Sequence, residues 1–526
     1  MRSSTGPAAA GSTATAGPTA VVRTTAGPVA GLRQSFGTVF RGVPYAAAPV
    51  GAGRFAAPSA PRPWTAVRDA TGPGPTAPQP VRDLFGTLDL SPYFGPGWRR
   101  GRDYLTVDLW CPARDGERLP PAGAPVLVFV HGGGFVAGST GAPLYDGAAF
   151  ARDGVLLVTV NYRLGVPGFL HLPDAPDNRG LLDVLAALRW VRDNIAGFDG
   201  DPAEVTLMGQ SAGGILVAGV LADPASRGLI RRAVVQSGSG TAAFTPAQAD
   251  VVAGAVGREL ALRPTARTLA EVGDERLVEL MPRLAGLDLG VTGHHDPLGG
   301  ITPFSLVLEQ QPAAAVAAGA GHDVDLLIGS NLDEGSLYLA PPGLLATTTA
   351  ADVRATAARF HARPDDVVAA YRARHPGAST AQLRTAILGD GLFGTGTRRL
   401  TAAHAAHDGV GVTFAYEFAW RSDALDGQLG ASHVMELQFV FDRVDLPALH
   451  GPDALLGTAP PPADLVDRMH GAWVRFAASG DPGWPAHEPD RQHVHRFTGP
   501  AQVRPPGART DTDGPAATER AGSGRR

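Results

Sequence analysis

The segment Val205 to Gly214, VTLMGQSAGG, constrains the fold of this chain more than any other stretch. A β-favouring run at 205–208 is followed at 212–221 by small apolar residues that suit a buried helix. Ser211 lies between them with a glycine two residues away on each side, which is the G-x-S-x-G pattern of a nucleophile elbow. The five-residue pattern alone also occurs in ordinary small-residue turns. Its place between a strand and an apolar helix favours a serine hydroxyl held above a sheet, with helix amides beside it.

The composition excludes several classes of protein. With 526 residues, of which 44% are hydrophobic and 18% charged, the chain can bury one large α/β domain or two ordinary domains. A net charge of -5 favours neither a nucleic-acid partner nor a membrane surface.

Two features of the sequence indicate the cellular compartment of the protein. Cys111 is the only cysteine, so no disulfide can form within the chain, which favours a reducing environment. The first twenty residues contain no apolar run of the kind that a signal peptide needs, and no segment is long and apolar enough to span a bilayer. We therefore expect a cytoplasmic protein without a membrane span, while the sequence leaves the oligomeric state open.

Strand-like and helix-like segments alternate along the chain. Strands are predicted at 105–110, 125–130, 155–162, 205–208, 232–236, 325–328 and 412–418, and helices at 178–195, 212–221 and 464–478. This order predicts an α/β fold with a mostly parallel central sheet, helices on both faces and a site at the carboxyl ends of the strands.

The expected organisation is a single domain over residues 21–499, with disordered tails at 1–20 and 500–526. The domain is expected to begin with a hairpin near Val21. Residues 42–63 are rich in Pro and Gly and predict a long irregular surface segment. The Ala- and Arg-rich region 341–399 has a helical pattern and is expected to cover the upper edge of the sheet.

A serine hydroxyl needs a base to remove its proton and an acid to orient that base. His433 fits the base best among the 15 histidines, because a Gly- and Ser-containing loop presents it and an apolar run follows it. Asp333 and Glu334 come after the predicted strand at 325–328 and are the candidates for the acid. The residues by themselves do not separate these two carboxylates, and a solvated acidic turn is a further interpretation of this segment.

Residues 131–134, HGGG, directly follow the predicted strand at 125–130. Three glycines let the backbone approach a ligand closely, so their amide groups can point at a developing oxyanion. The alternative is a flexible glycine turn. The elbow further along the same alternating pattern favours the oxyanion site.

Together these segments resemble the type B carboxylesterases of the α/β-hydrolase fold, which include cholinesterases and bacterial para-nitrobenzyl esterases. The similarity runs from about residue 24 to about residue 484. It is carried by FRGVPYAAAPVGAGRF, PVLVFVHGGGFVAGS, VNYRLGVPGFL, NRGLLDVLAALRWVRDNIAGFDGDP, VTLMGQSAGG, IGSNLDEG and GASHVMELQFVF. This set is highly specific, and it implies the α/β-hydrolase fold with helical insertions over the active site.

The resemblance also implies a role for individual residues. It implies Ser211 as the nucleophile, Glu334 rather than Asp333 as the acid, and His433 as the base. The amides of the implied oxyanion hole belong to Gly133, Gly134 and Ala212.

Two departures from the family pattern stand out. Gln210 occupies the position where the family usually has Glu, so a carboxylate beside the histidine is missing and the pH dependence is expected to differ. The family's Glu-Asp-Cys segment reads Arg102-Asp103-Tyr104, so the loop disulfide of the secreted members is absent as well.

The expected activity is hydrolysis of a small-molecule ester through an acyl-enzyme, without a metal or organic cofactor. An amidase or carbamate hydrolase with the same site is one alternative, and a non-catalytic binding module like the neuroligins is another. The complete set of Ser, Glu and His favours an enzyme. No motif identifies the natural ester, and the candidates for the walls of its pocket are Phe135, Phe304, Phe393 and Leu437.

Overall fold

The segment Ala124–Val130, APVLVFV, is buried along its whole length and separates two halves of the hydrophobic core. Val126 and Val128 pack into one half, and Leu127 and Phe129 pack into the other. Successive side chains of a strand point to opposite faces, so a continuous apolar run needs a hydrophobic layer above and below it. The chain accordingly packs helices on both faces of a sheet.

The computed structural model describes residues 19–114, 120–407 and 409–499. The strands are β1 (Thr19–Arg23), β2 (Pro28–Gln34), β3 (Gly37–Pro44), β4 (Arg68–Asp69), β5 (Leu84–Phe85), β6 (Leu88–Asp89), β7 (Thr106–Pro112), β8 (Ala124–Val130), β9 (Leu156–Val160), β10 (Gly200–Gln210), β11 (Arg232–Gln236), β12 (Asp325–Asn331), β13 (Thr413–Phe418) and β14 (Val494–Phe497).

The main sheet has the order β1-β2-β3-β7-β9-β8-β10-β11-β12-β13-β14, and β4 pairs with β2 outside this path. All neighbours from β9 to β14 in this order pair in parallel. The pairs from β1 to β9 are antiparallel. Because parallel strands end at the same edge of a sheet, the segments that follow β8, β10, β12 and β13 begin at one edge.

The helices lie on both faces and above this edge. They are α1 (Ser91–Phe94), α2 (Ala148–Arg152), α3 (Gly165–Phe169), α4 (Arg179–Asn194), α5 (Ala212–Ala222), α6 (Pro246–Leu260), α7 (Ala266–Ala270), α8 (Asp274–Leu280), α9 (Pro312–Ala317), α10 (Ser336–Leu339), α11 (Ala350–Phe360), α12 (Pro364–Arg374), α13 (Thr380–Gly389), α14 (Thr395–Ala405), α15 (Leu437–Val440) and α16 (Ala463–Ser479). A π-helical turn, Asp390–Gly394, joins α13 to α14. None of the helices in the described ranges is long and apolar enough to cross a membrane.

The predicted alternation and the mostly parallel sheet are confirmed, and so are the helical region after residue 341 and the hairpin formed by β1 and β2. Three details of the prediction are wrong. β1 begins at Thr19, inside the predicted tail, because it pairs with β2. β3 extends to Pro44, into the segment predicted to be irregular, because it pairs with β7. β14 was not predicted.

The predicted tails over 1–18 and 500–526 lie outside the described residues. The single-domain organisation stays a prediction.

Candidate active site

Ser211 occupies the corner between β10 and α5. Its backbone φ of 58° and ψ of -123° form the strained conformation of a nucleophile elbow. Gly213 is required beside it, because a Cβ at that position would overlap the carbonyl oxygen of Val130 on β8. The Ser211 amide donates to the Gln236 carbonyl oxygen at 2.9 Å, which ties the turn to the end of β11. The backbone therefore fixes the position of the predicted nucleophile.

A chain of hydrogen bonds links three of the predicted site residues. The His433 Nε2 atom lies 2.8 Å from Ser211 Oγ, and His433 Nδ1 lies 2.6 Å from Glu334 Oε2. All three side chains are buried. Because an ionised carboxylate can only accept, Nδ1 carries the proton in this pair and Nε2 is left to accept from the serine hydroxyl.

The two adjacent carboxylates after β12 have different surroundings. Glu334 is buried, and its Oε1 atom accepts from Ser237 Oγ at 2.6 Å and from the Asn331 amide at 2.7 Å. Asp333 points away from His433 and pairs with Arg421 at the surface, with 2.9 Å between the Arg421 Nε and Asp333 Oδ2 atoms. The geometry thus separates the two candidates that the residues alone left open.

The glycine loop after β8 lies against the serine. Gly133 and Gly134 have φ angles of 106° and 62°, a region that disfavours residues with a Cβ. Thr302 Oγ1 donates to the Gly134 carbonyl oxygen at 2.6 Å, which fixes the orientation of that peptide group. Among the described residues, neither glycine amide donates to a backbone carbonyl. Ala212 is the first residue of α5, so its N–H has no partner within the helix.

His131, the first residue of HGGG, supports this loop from below. Its ring is buried and stacks on Tyr162 with 4.6 Å between the ring centroids. The Tyr162 hydroxyl donates to the His131 carbonyl oxygen at 2.8 Å. Desolvation lowers the pKa of His131 to about 4, so the ring stays neutral near neutral pH. It is a structural residue rather than part of the hydrogen-bonded chain.

Phe393 covers one face of the His433 imidazole. The two rings are stacked, with 4.1 Å between their centroids and 9° between their planes. Phe393 belongs to the π-helical turn between α13 and α14, and such bulges often occur at functional sites. From the sequence, Phe393 is predicted only as a residue of the pocket wall. No local pattern signals that it packs on a histidine 40 positions further along the chain.

A second buried carboxyl lies behind the hydrogen-bonded chain. Glu436 accepts from Asn331 Nδ2 at 2.6 Å and from Gln236 Nε2 at 3.2 Å. Burial, together with the negative charge of the neighbouring Glu334, raises the pKa of Glu436 to about 7. Glu436 is not among the site residues predicted from the sequence. A single carboxylate inside the apolar run VMELQFVF is the signal that would have found it.

Gln210 lies directly before the serine and is fully buried. Its Nε2 atom is 3.4 Å from His433 Nε2, so an uncharged amide occupies the space beside the imidazole. The sequence has no carboxylate at this position of β10, and in the fold this position is directly beside the His433 ring.

A cavity of about 350 Å³ opens onto Ser211 and His433. Its walls come from the glycine loop, from residues 298–302, from α10 and from the region of α11 to α14. Of the predicted pocket residues, Phe135 and Phe393 line it. The prediction is wrong for Phe304 and Leu437, which are buried in the two halves of the core instead.

Residues 18–501 match the model of the carboxylesterase family. The chain belongs to the carboxylesterase family. Among its relatives is the para-nitrobenzyl esterase of Bacillus subtilis (strain 168), which is 33% identical over 90% of this chain and 94% of its own length. The phenmedipham hydrolase of Pseudarthrobacter oxydans is 34% identical, covering 89% of this chain and 93% of its own. The fumonisin B1 esterase of Sphingopyxis macrogoltabida is 32% identical over 90% of this chain and 84% of its own.

Solved carboxylesterase structures share the fold. The Geobacillus stearothermophilus carboxylesterase superposes with a TM-score of 0.75 at 31% identity, covering 91% of this chain and 96% of its own. A PNB esterase structure gives a TM-score of 0.74 at 31% identity over 91% of this chain. The predicted α/β-hydrolase fold and the predicted carboxylesterase activity are confirmed. The alternative of a non-catalytic binding module is set aside.

Proposed function

We propose that this carboxylesterase cleaves its ester through Ser211, with His433 as the base and Glu334 as the acid that orients it. His433 Nε2 removes the hydroxyl proton as Ser211 Oγ attacks the ester carbonyl carbon. The carbonyl oxygen becomes an oxyanion, which accepts from the amides of Gly133, Gly134 and Ala212. The imidazolium then protonates the leaving alcohol, and the acyl group remains on Ser211.

Water completes the cycle by the same route. His433 removes a proton from the water molecule, the resulting hydroxide attacks the acyl carbon, and the proton returns to Ser211 Oγ as the acid leaves. Glu334 stays ionised throughout and stabilises the imidazolium at each half-reaction.

One observation supports this proposal above the others, namely the chain of contacts from Ser211 Oγ through both ring nitrogens of His433 to Glu334 Oε2, at 2.8 Å and 2.6 Å. It fixes the tautomer that a base needs, and it ends on a carboxylate that two further donors hold in place. The proposal is further supported by the glycine loop, because Gly133 and Gly134 line the same cavity as Ser211.

The test compares p-nitrophenyl butyrate hydrolysis by the wild type and by Ser211→Ala, with mass spectrometry after fluorophosphonate treatment. Loss of the nucleophile should lower kcat by about 10⁴-fold or more, and the wild type should carry one label on the Ser211 peptide. Ser305→Ala is the control, because this buried serine donates to the Ala242 carbonyl oxygen away from the site. Full turnover by Ser211→Ala would refute the assignment.

A p-nitroanilide offered beside the ester distinguishes an esterase from an amidase that uses the same residues. We expect turnover of the ester and little turnover of the anilide. The substrate is expected to be a small molecule, since the cavity of about 350 Å³ has the size of a small-ligand pocket.

We also propose a cytoplasmic location. The only cysteine, Cys111, is buried and free, so the fold does not depend on an oxidising compartment. Cell fractionation followed by immunoblotting tests this location.

A further inference from the structure

Three arginines lie around the mouth of the cavity that opens onto Ser211. Arg82 lies between β4 and β5, Arg359 is on α11 and Arg384 is on α13. The rest of the lining is mostly apolar, and no Asp or Glu is among the described residues that line it. The cavity therefore combines an apolar interior with three positive charges and no compensating negative charge on its walls.

None of the three guanidinium groups forms an ion pair with a carboxylate of the described residues. Arg359 Nη1 donates to the Gly299 carbonyl oxygen at 3.2 Å. Arg384 donates to the hydroxyls of Thr356 and Thr348, both at 3.3 Å. Each of these neutral acceptors leaves the positive charge in place. By contrast, Arg398 further along the same region pairs with Asp390.

Two acids that interact electrostatically with these arginines already have other partners. Asp296 interacts with Arg359 through space, but its two oxygens accept from the amides of Leu298 and Gly300. Asp352 interacts in the same way with Arg384, and it accepts from the Thr349 amide and hydroxyl at the start of α11. The Asp296 carboxylate thus closes a loop, and the Asp352 carboxylate caps the N-terminus of α11.

Arg384 is separated from the reacting centre by apolar residues that line the same cavity. Arg384, Leu388 and Leu392 all line the cavity at a spacing of four residues, so they follow one face of the helix towards Phe393, which stacks on His433. Leu392 follows Arg384 by eight positions through α13 and into the π-helical turn, which is roughly 12 Å at the α-helical rise per residue. An apolar stretch of this length separates the Arg384 backbone from the catalytic end of the cavity.

Arg82 lines the cavity together with Phe85 and Tyr338. Burial and the charge of Glu334 raise the pKa of Tyr338, and the positive charge of Arg82 opposes this shift. The Tyr338 ring lies 5.9 Å from the His433 ring between centroids. Phe85, three residues after Arg82, packs against Tyr338 with 6.5 Å between the ring centroids. The positive charges therefore come from three separate segments of the chain that line the same cavity.

We infer that the cavity selects esters that carry a carboxylate at the end remote from the scissile bond, with an apolar spacer between the two groups. Arg82, Arg359 and Arg384 bind the carboxylate, and the Leu388 and Leu392 surface accommodates the spacer. Guanidinium groups bind carboxylates with matched geometry, and charges of one sign inside a cleft attract a substrate of the opposite sign. This inference rests on the proposed function, because it concerns the substrate of the same site.

The test uses two pairs of esters that differ only in the remote charge. One pair carries the charge on the acyl side, 4-nitrophenyl hydrogen suberate against 4-nitrophenyl octanoate. The other carries it on the alcohol side, 8-(butanoyloxy)octanoate against octyl butanoate, with acid release followed in a pH-stat. The measured quantity is the ratio of kcat/KM for the charged ester to kcat/KM for its neutral partner.

The variants are Arg82→Gln, Arg359→Gln, Arg384→Gln and the triple variant, with Arg372→Gln as the matched control. Arg372 is an exposed arginine on α12 that does not line the cavity. In at least one pair, we expect the ratio to fall about tenfold in a single variant and further in the triple variant, since tenfold corresponds to one ordinary charge-assisted contact. The ratio and the turnover of the neutral esters should both stay constant in the Arg372→Gln control.

Raising the ionic strength of the wild-type assay from 0.05 M to 0.5 M gives a reading that needs no variant, because screening should lower the same ratio. A ratio that is unaffected by salt and by the triple substitution in both pairs would overturn the inference, while neutral-ester turnover would leave the proposed function intact. If the wild type hydrolyses none of the four esters and Ser211 takes no fluorophosphonate label, the proposed function fails first.

Discussion

The ring of Phe393 lies parallel to the ring of His433, with 4.1 Å between the centroids and 9° between the planes. The contact fixes one face of an imidazole whose two nitrogens are engaged at opposite edges. Phe393→Leu keeps an apolar side chain but leaves the ring free to tilt. We expect kcat on p-nitrophenyl butyrate to fall roughly tenfold, because a small misplacement of a catalytic group is costly.

Phe360 provides the control for this substitution. It packs in the same small cluster as Phe393 but makes no ring contact with His433. Phe360→Leu should lower the melting temperature by a similar amount and retain most of kcat. Equal losses of kcat in the two variants would indicate that Phe393 acts only through packing.

Ser237 holds the oxygen of Glu334 that does not face His433. Its hydroxyl donates to Glu334 Oε1 at 2.6 Å, and Ser237→Ala leaves only the Asn331 amide on that atom. We expect kcat to fall about three- to tenfold with little change in KM, because Ser237 does not line the cavity. Steady-state kinetics on p-nitrophenyl butyrate measure this split.

Ser239→Ala is the matched control for Ser237→Ala, since the Ser239 hydroxyl contacts Thr241 rather than Glu334. A rise in KM alone after the Ser237 substitution would contradict a positioning role.

Gln210 places a neutral amide 3.4 Å from His433 Nε2. Gln210→Glu would bring a negative charge to this point, which stabilises the imidazolium and so requires a higher pH for the neutral base. We expect the acid limb of the kcat/KM profile to move upward by about one pH unit. Rates measured between about pH 5 and pH 9 test the shift.

Gln210→Met, which adds no charge, should leave the acid limb where it is in the wild type. A shift of the acid limb of the kcat/KM profile to lower pH in Gln210→Glu would contradict stabilisation of the imidazolium by the added charge.

Glu436 makes the stability of the protein depend on pH. Its pKa is raised from an ordinary value of 4.5 to about 7, first by burial and then by Glu334. The folded protein therefore holds this proton more tightly than the unfolded chain does. As the pH rises from about 4.5 through about 7, this contribution to the free energy of unfolding is lost, by an amount on the order of 3 kcal/mol.

Glu436→Gln cannot ionise, so the variant should gain stability relative to the wild type between about pH 5 and about pH 8. Urea unfolding followed by tryptophan fluorescence at the two pH values measures the change. Glu309→Gln, at an exposed position, should differ from the wild type by the same amount at both values. A wild type that gains stability over this range relative to Glu436→Gln would contradict the raised pKa.

Local patterns in the sequence were sufficient for much of the fold. The run PVLVFV had to become a strand buried on both faces, and the small residues after Ser211 had to become a buried helix, because periodicity and side-chain size act within a few residues. β14 was missed because four residues, VHRF, carry no pattern that distinguishes them from a loop. Pairing with β13 makes this segment a strand.

The candidate site, like the fold, could be predicted only in part from the sequence. The sequence by itself determined where a strained serine and a glycine loop occur, since glycines at fixed offsets permit only a few backbone conformations. The residues by themselves left Asp333 and Glu334 open, apart from the family resemblance, and in the tertiary structure Glu334 faces His433 while Asp333 faces Arg421. Only the tertiary structure decided that Phe393 rather than Phe304 reaches the cavity, and that three arginines meet there without acids. These are contacts between distant segments, and their partners are chosen by how helices and strands pack rather than by any pattern along the chain.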